Sequence, residues 1–328
     1  MKKIFCAVLA LAAMASCSKE YIVAENKQAI GFGEAFVENS TRATDNTYLD
    51  GEDVDLFKVW GTVKGTHTGS EAVYIFPGTE VSRPGGLTGY DDEEAWVCNN
   101  VQYWVPNANY NFIAVVDGEL DTTNNTIAYT VSSQKDLLLD TAEASVTEDG
   151  TITGTNAYGL VAFTFNHLLS KAYFTFKTDL FQTEDYSYEI SKIQFDNAYT
   201  QGTYTVGGDW SATTTAPLSF GATVKHQPSK TAEVTTTSEL VKVFIPQQDV
   251  KVSFTVTIKY DDDATDSVEA KAISVKNYSF TVFPSAESKK SVAGHSYNFV
   301  AELAENATIN FTVEDVTDWV VDPNIDLQ

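Results

Sequence analysis

Hydrophobic and polar residues alternate with a period of two through most of the chain. The clearest run is Val250 to Tyr260. Val250, Val252, Phe254, Val256, Ile258 and Tyr260 interleave with Lys251, Ser253, Thr255, Thr257 and Lys259. Such alternation sets one face of a strand against a core and the other in water. Asp261-Asp262-Asp263 ends the run, and Val268 to Val275 can return as its partner. Tyr297, Phe299, Ala301 and Leu303 alternate again. A turn near Glu305-Asn306 follows, then Ile309, Phe311 and Val313, which predicts a second hairpin.

The first half reads alike. Leu56 to Val63 is a β-rich run broken by Gly61. Ala95 to Val105 predicts a hairpin turning at Asn99-Asn100. Pro106 to Asn109 is a turn before the run Tyr110 to Val116, and Ile127, Tyr129 and Val131 alternate. One short stretch, Ser133 to Ala144, is compatible with a helix. Turn residues recur every ~8–12 positions, which favours β-sandwiches or barrels over α/β folds. The expected fold class is all-β. Glu143 to Tyr158 is small, polar and Gly/Thr-rich, and Leu160 to Phe176 then turns strongly apolar. The division between two domains is therefore expected near residue 160, giving 43–160 and 161–328.

The N-terminal lead follows a different logic. Lys2 and Lys3 precede an apolar run, Ile4 to Ala15, too short to span a bilayer and laid out like a secretory signal. Met14-Ala15-Ser16-Cys17 is a small-residue site ending in cysteine, which marks residues 1–16 as a lipoprotein signal and Cys17 as the acylated residue. The plainer reading is ordinary signal cleavage with Cys17 a free thiol. No later stretch approaches the ~20 apolar residues of a membrane helix, so membrane attachment would be through lipid alone. Residues 17–42 then form a lead. It contains a strand-like piece, Gln28 to Phe36, whose Ile30, Phe32 and Phe36 have period-two spacing. Soft, polar flanks surround Arg42 and Ala43.

Composition narrows the partners. The formal net charge is -24, and losing Lys2 and Lys3 with the signal takes it to -26. Phosphate-rich nucleic acid is thereby disfavoured. The acid is dispersed and aromatic residues make up 12% of the chain, which argues for a folded core. Of three cysteines, Cys6 leaves with the signal and Cys17 is the lipid site. Cys98 stands alone, so the core is held without disulfides.

Short segments along the mature chain, in order, resemble the fimbrillin family of Bacteroidetes, the type V pilin-like surface lipoproteins. They are Ala29-Ile-Gly-Phe32 with Thr41-Arg42-Ala43, Phe57-Lys-Val-Trp-Gly61, and Val101-Gln-Tyr-Trp-Val-Pro106 leading to Tyr110-Asn-Phe112. Further on come Lys135-Asp-Leu-Leu138, Phe165-Asn-His-Leu-Leu-Ser-Lys171 with Phe174-Thr-Phe176, and Phe244-Ile-Pro-Gln247. The last are Tyr297-Asn-Phe299, Ile309-Asn-Phe311 and Val316-Thr-Asp-Trp319.

The resemblance implies two tandem transthyretin-like β-sandwich domains and an assembly route. A lipidated precursor reaches the outer membrane. A trypsin-like protease cuts between Arg42 and Ala43 and removes the strand carrying Ile30, Phe32 and Phe36. The groove left behind accepts a strand from another fimbrial subunit, giving a cell-surface fimbrium that contributes to adhesion to host or bacterial surface glycans or proteins. A sandwich lacking a strand recruits one because its ladder groups and apolar pockets are uncovered. Pro323 interrupts the residues after Trp319 as a strand. The subunit is therefore either a polymerising stalk pilin or a tip or anchor component that accepts without donating. A reading from another class is a surface lipoprotein that binds glycans and never polymerises.

Other candidate sites carry less. Asp91 to Glu94 and Asp261 to Asp263 lack the spacing of a calcium loop and read as acidic turn tips. His67, His167, His226 and His295 are scattered without a zinc-ligand pattern, so no metal and no cofactor is expected. No nucleophile elbow, phosphate loop or dinucleotide fingerprint is present, and no motif selects a pair of carboxylates, so no catalytic residue is assigned. Among Trp60, Trp96, Trp104, Trp210 and Trp319, most fall in strand-like runs, where tryptophan packs in the core. Trp210, after Gly207-Gly208-Asp209, is the candidate glycan contact.

Overall fold

The computed structural model describes residues 28–37, 47–48, 56–82, 96–178, 186–221, 223–226, 241–260, 271–304 and 308–316. Among these residues the chain is all-β. Its first strands are β1 (Phe32–Val37), β2 (Thr47–Tyr48), β3 (Leu56–Gly65), β4 (Val73–Ser82), β5 (Val97–Cys98) and β6 (Ala108–Val116). Next come β7 (Leu120–Asp121), β8 (Thr126–Thr130), β9 (Leu138–Val146), β10 (Ile152–Thr153), β11 (Val161–His167) and β12 (Ser170–Thr178). The rest are β13 (Tyr186–Thr205), β14 (Trp210–Ser219), β15 (Val224–His226), β16 (Lys242–Phe244), β17 (Val250–Tyr260), β18 (Lys271–Val282), β19 (Ser296–Ala304) and β20 (Thr308–Val316). No helix among the described residues is long and apolar enough to cross a membrane.

The chain forms two compact units. The first takes the described parts of Met1–Phe36, Tyr48–Val116 and Asp140–Thr164; the second takes those of Val37–Thr47, Asp117–Leu139 and Phe165–Gln328. The apolar segment after residue 160 thus divides, with β11 beginning in one unit and ending in the other.

In the first unit one sheet runs in the order β2-β1-β11-β9-β6-β3-β4-β5, with β10 on β9. β1 and β4 stand five places apart in that order, which would separate them by over 20 Å in a flat sheet at about 4.8 Å per strand. Yet the rings of Phe32 on β1 and Phe76 on β4 have centroids 5.2 Å apart. The sheet therefore curls until its two ends face each other across a core of Phe57, Phe76, Phe112 and Phe163, all buried. Gly61 does not break β3. It lets the Phe76 and Phe112 rings approach, each of which would come within 2.8 Å of a β-carbon there.

In the second unit a four-stranded sheet, β16-β12-β19-β20, faces a seven-stranded one, β18-β17-β13-β8-β7, with β14 and β15 also on β13. Phe174, Phe176, Phe195, Phe254 and Phe299 fill the space between them. The alternating run Val250 to Tyr260 is β17 as expected, and its return strand, β18, extends further than expected, to Val282. β19 and β20 form the second expected hairpin. β12 and β19 are parallel, and Lys171, Ser296 and Val316 make one row across β12, β19 and β20.

Two further expectations are corrected. The helix-compatible stretch 133–144 is a short 3-10 turn, Val131–Ser133, followed by strand β9. Gln134 takes a left-handed conformation (φ 50°), which stops a helix from starting. Pairing between β6 and β11, with Leu138, Leu139, Ala144 and Val146 buried, then overrides local propensity. The segment 95–105 is not a hairpin. Cys98 pairs with Val81 of β4, and the Asn100 side-chain amide donates to the Ile75 carbonyl at 2.9 Å, holding the chain along β4. The residues beyond it find a different partner.

Candidate functional site

That partner is the lead. The Ile30 N–H donates to the Gln102 carbonyl (2.8 Å), the Trp104 N–H donates to the Gln28 carbonyl (3.0 Å), and Ala29 and Tyr103 form an antiparallel bridge. One residue later the pairing changes sides: the Val161 N–H donates to the Gly31 carbonyl (2.9 Å), and β1 continues along β11. The segment 28–37 thus joins the two sides of the curled sheet. Its β1 part lies between β2 and β11 near one end, and residues 28–30 bond the stretch just past β5 at the other, closing the seam.

Its side chains are set into the core. Phe32 is fully buried, with Phe76 edge-on at 5.2 Å, Phe112 edge-on at 6.0 Å and Phe163 stacked at 6.1 Å. Ile30 is 4% exposed. Each such side chain contributes roughly 1.5–3 kcal/mol by burial, and each backbone hydrogen bond a net ~1 kcal/mol. Phe36 lies on β1, and its side chain is outside the described residues, as are Cys17, Arg42 and Ala43.

The remaining candidates are placed as follows. Trp60, Trp96 and Trp104 are buried; Trp319 is outside the described residues. Trp210 is half-buried. Its indole N–H donates to the Leu168 carbonyl at 2.7 Å, and its ring meets Tyr204 (5.5 Å) and Tyr129 (6.2 Å). His167 contacts Asp136 at 2.6 Å and His295 contacts Asp315 at 2.9 Å, pairings within the fold. His67 lies in an exposed turn where its carbonyl accepts the Ser70 N–H; the side chain of His226 is outside the described residues, as are both acidic turns. Among the described residues no group of three or more His, Cys, Asp or Glu side chains could hold a metal ion. Sequence reasoning missed residues 102–104 as the partner of the lead. Alternation announces a strand but not which distant edge it meets.

A family model described as fimbrillin-like matches residues 41–319. No curated protein matches the chain. The fold is similar to that of a fimbrial protein from Bacteroides vulgatus, at 15% identity and a TM-score of 0.56, covering 89% of this chain and 98% of that one. It is also similar to a candidate cell adhesion protein from Bacteroides ovatus, at 15% identity and a TM-score of 0.52, covering 90% of this chain and 99% of that one. At these identities the likeness establishes the fold.

Proposed function

This chain belongs to the fimbrillin-like family, and from that premise we propose that it is a fimbrial subunit assembled by protease-triggered strand exchange at the cell surface. The observation that carries the proposal is the seam. The lead strand is held through main-chain bonds to two separate edges and through Phe32 and Ile30 in the core. Removing it would uncover ladder groups on both edges and an aromatic pocket between them, the arrangement that recruits a strand from another chain. Arg42 follows the strand closely in sequence, so a single cut there separates strand from domain while the pocket stays whole. Cys17 precedes it, so lipid anchoring in the outer membrane would last until that cut.

The test is incubation of the full chain with a trypsin-like protease, followed by N-terminal sequencing and SDS electrophoresis without boiling. A product beginning at Ala43, together with SDS-resistant ladders, is expected. Assembled material that begins at Cys17, or a product cut at Arg42 that stays monomeric in the presence of its fimbrial partners, would end the proposal.

A further inference from the structure

Resting on the reading that the lead strand is exchanged, we infer that Leu160 makes the seam selective for strands with an aromatic residue flanked on both sides by glycine. Gly31 and Gly33 are two residues apart and share the strand face opposite Phe32. Leu160 straddles them. A β-carbon at Gly31 would lie 2.7 Å from Leu160 Cδ2; one at Gly33 would lie 2.6 Å from Cδ1, 3.4 Å from Cβ and 3.6 Å from Cγ. Neither glycine has a positive φ, so their backbone conformations do not require glycine, and the nearest atoms a side chain would meet are those of Leu160.

The main chain of Leu160 is held in place. Its N–H donates to Asn156 Oδ1 (3.0 Å), and its carbonyl accepts the Asn156 N–H (2.9 Å). The next residue, Val161, donates its N–H to the Gly31 carbonyl (2.9 Å). The leucine backbone is thereby fixed to the strand it covers. With one methyl over each glycine, both methyls must be displaced together before side chains enter at both positions; the Cβ, 3.4 Å from the Gly33 position, is in ordinary contact. On the other face Phe32 fixes the register, since a slip by one residue would turn the aromatic onto Leu160. The seam thus reads glycine–aromatic–glycine. In this chain's own β20, Phe311 is flanked by Asn310 and Thr312, both bearing β-carbons. β20 is therefore a poor fit for the seam.

The experiment uses the full chain with a site-specific protease sequence in place of Thr41 to Thr44, cut so that the lead is held without a covalent link. Exchange of the lead is followed by fluorescence anisotropy with three labelled peptides: Gln28–Val37, the same peptide with Gly31→Val and Gly33→Val, and Thr308–Val316. The first is expected to enter, and the other two to bind about tenfold more weakly or worse. Leu160→Ala, with Leu160→Val as a second variant should the first fold poorly, is expected to bring the doubly substituted peptide to within about threefold of the native one. Equal binding of all three peptides to the unchanged chain, or no recovery in either Leu160 variant, would overturn the selectivity and leave exchange standing. Failure of Gln28–Val37 itself to enter would overturn exchange and the selectivity with it.

Discussion

The side-chain carbonyl of Gln247 accepts the main-chain N–H of Tyr199 at 2.7 Å, in the middle of a strand. β13 shifts register between Phe195 and Ala198 and again between Tyr199 and Gln201. At that irregularity the buried glutamine replaces a neighbouring strand: its amide also donates to the Asn197 carbonyl at 3.1 Å. Gln247→Leu would leave both main-chain groups without this partner in a dry site, at a cost of ~2–4 kcal/mol. Urea unfolding followed by tryptophan fluorescence should show the lowered midpoint. A variant as stable as the parent would mean that water reaches the bulge.

Phe32→Ala removes a ring enclosed by three others. The expected loss is ~3–5 kcal/mol. Because Ile30, Trp104 and Val161 donate the amides that hold the lead, their hydrogen exchange should accelerate ahead of the amides of β17 and β18. Uniform acceleration throughout the chain would contradict a local role for the seam.

Burial pushes the hydroxyls of Tyr129, Tyr188 and Tyr297 up to about 12. In an unfolded chain the phenol titrates near ~10. Between those values the native state keeps protons that the unfolded state has released. Stability is therefore complete below about pH 10 and falls as pH rises toward about 12. Urea midpoints measured across that window should decline, and Tyr188→Phe should flatten the decline. An identical slope in parent and variant would count against burial as the cause.

Trp210→Phe keeps a ring against Tyr204 and Tyr129 but removes the donor to Leu168. A loss of ~1–3 kcal/mol is expected, read as a lower Tm. Run on a glycan array, parent and variant should give the same profile. A profile lost only in the variant would instead mark the ring as a sugar platform.

The regions of the fold legible in the sequence are those where a strand pairs with the next one in the chain. β17 and β18 announce themselves by alternation and pair with each other, as do β19 and β20. β9 was obscured because Ser133 to Ala144 carries residues that suit a helix locally, while two flanking strands supply the ladder. The lead strand was legible through Ile30 and Phe32, but its bond to residues 102–104 was not, since it joins segments far apart in sequence. The saddle of Leu160 leaves no trace in a hydrophobic pattern at all, because glycine has no side chain to alternate. Cys17 and Arg42 are visible only as sequence signals.

The row formed by Lys171, Ser296 and Val316 sets how the second unit answers a pull. Tension applied at Lys171 and Val316 acts across the strands, so the hydrogen bonds at that row, between β12 and β19 and between β19 and β20, carry the load before those further along. Such bonds break in succession, like a zipper, whereas bonds pulled along the strand direction must all fail at once. β20, the edge strand of this sheet and paired on one side only, therefore peels from its Val316 end at low force.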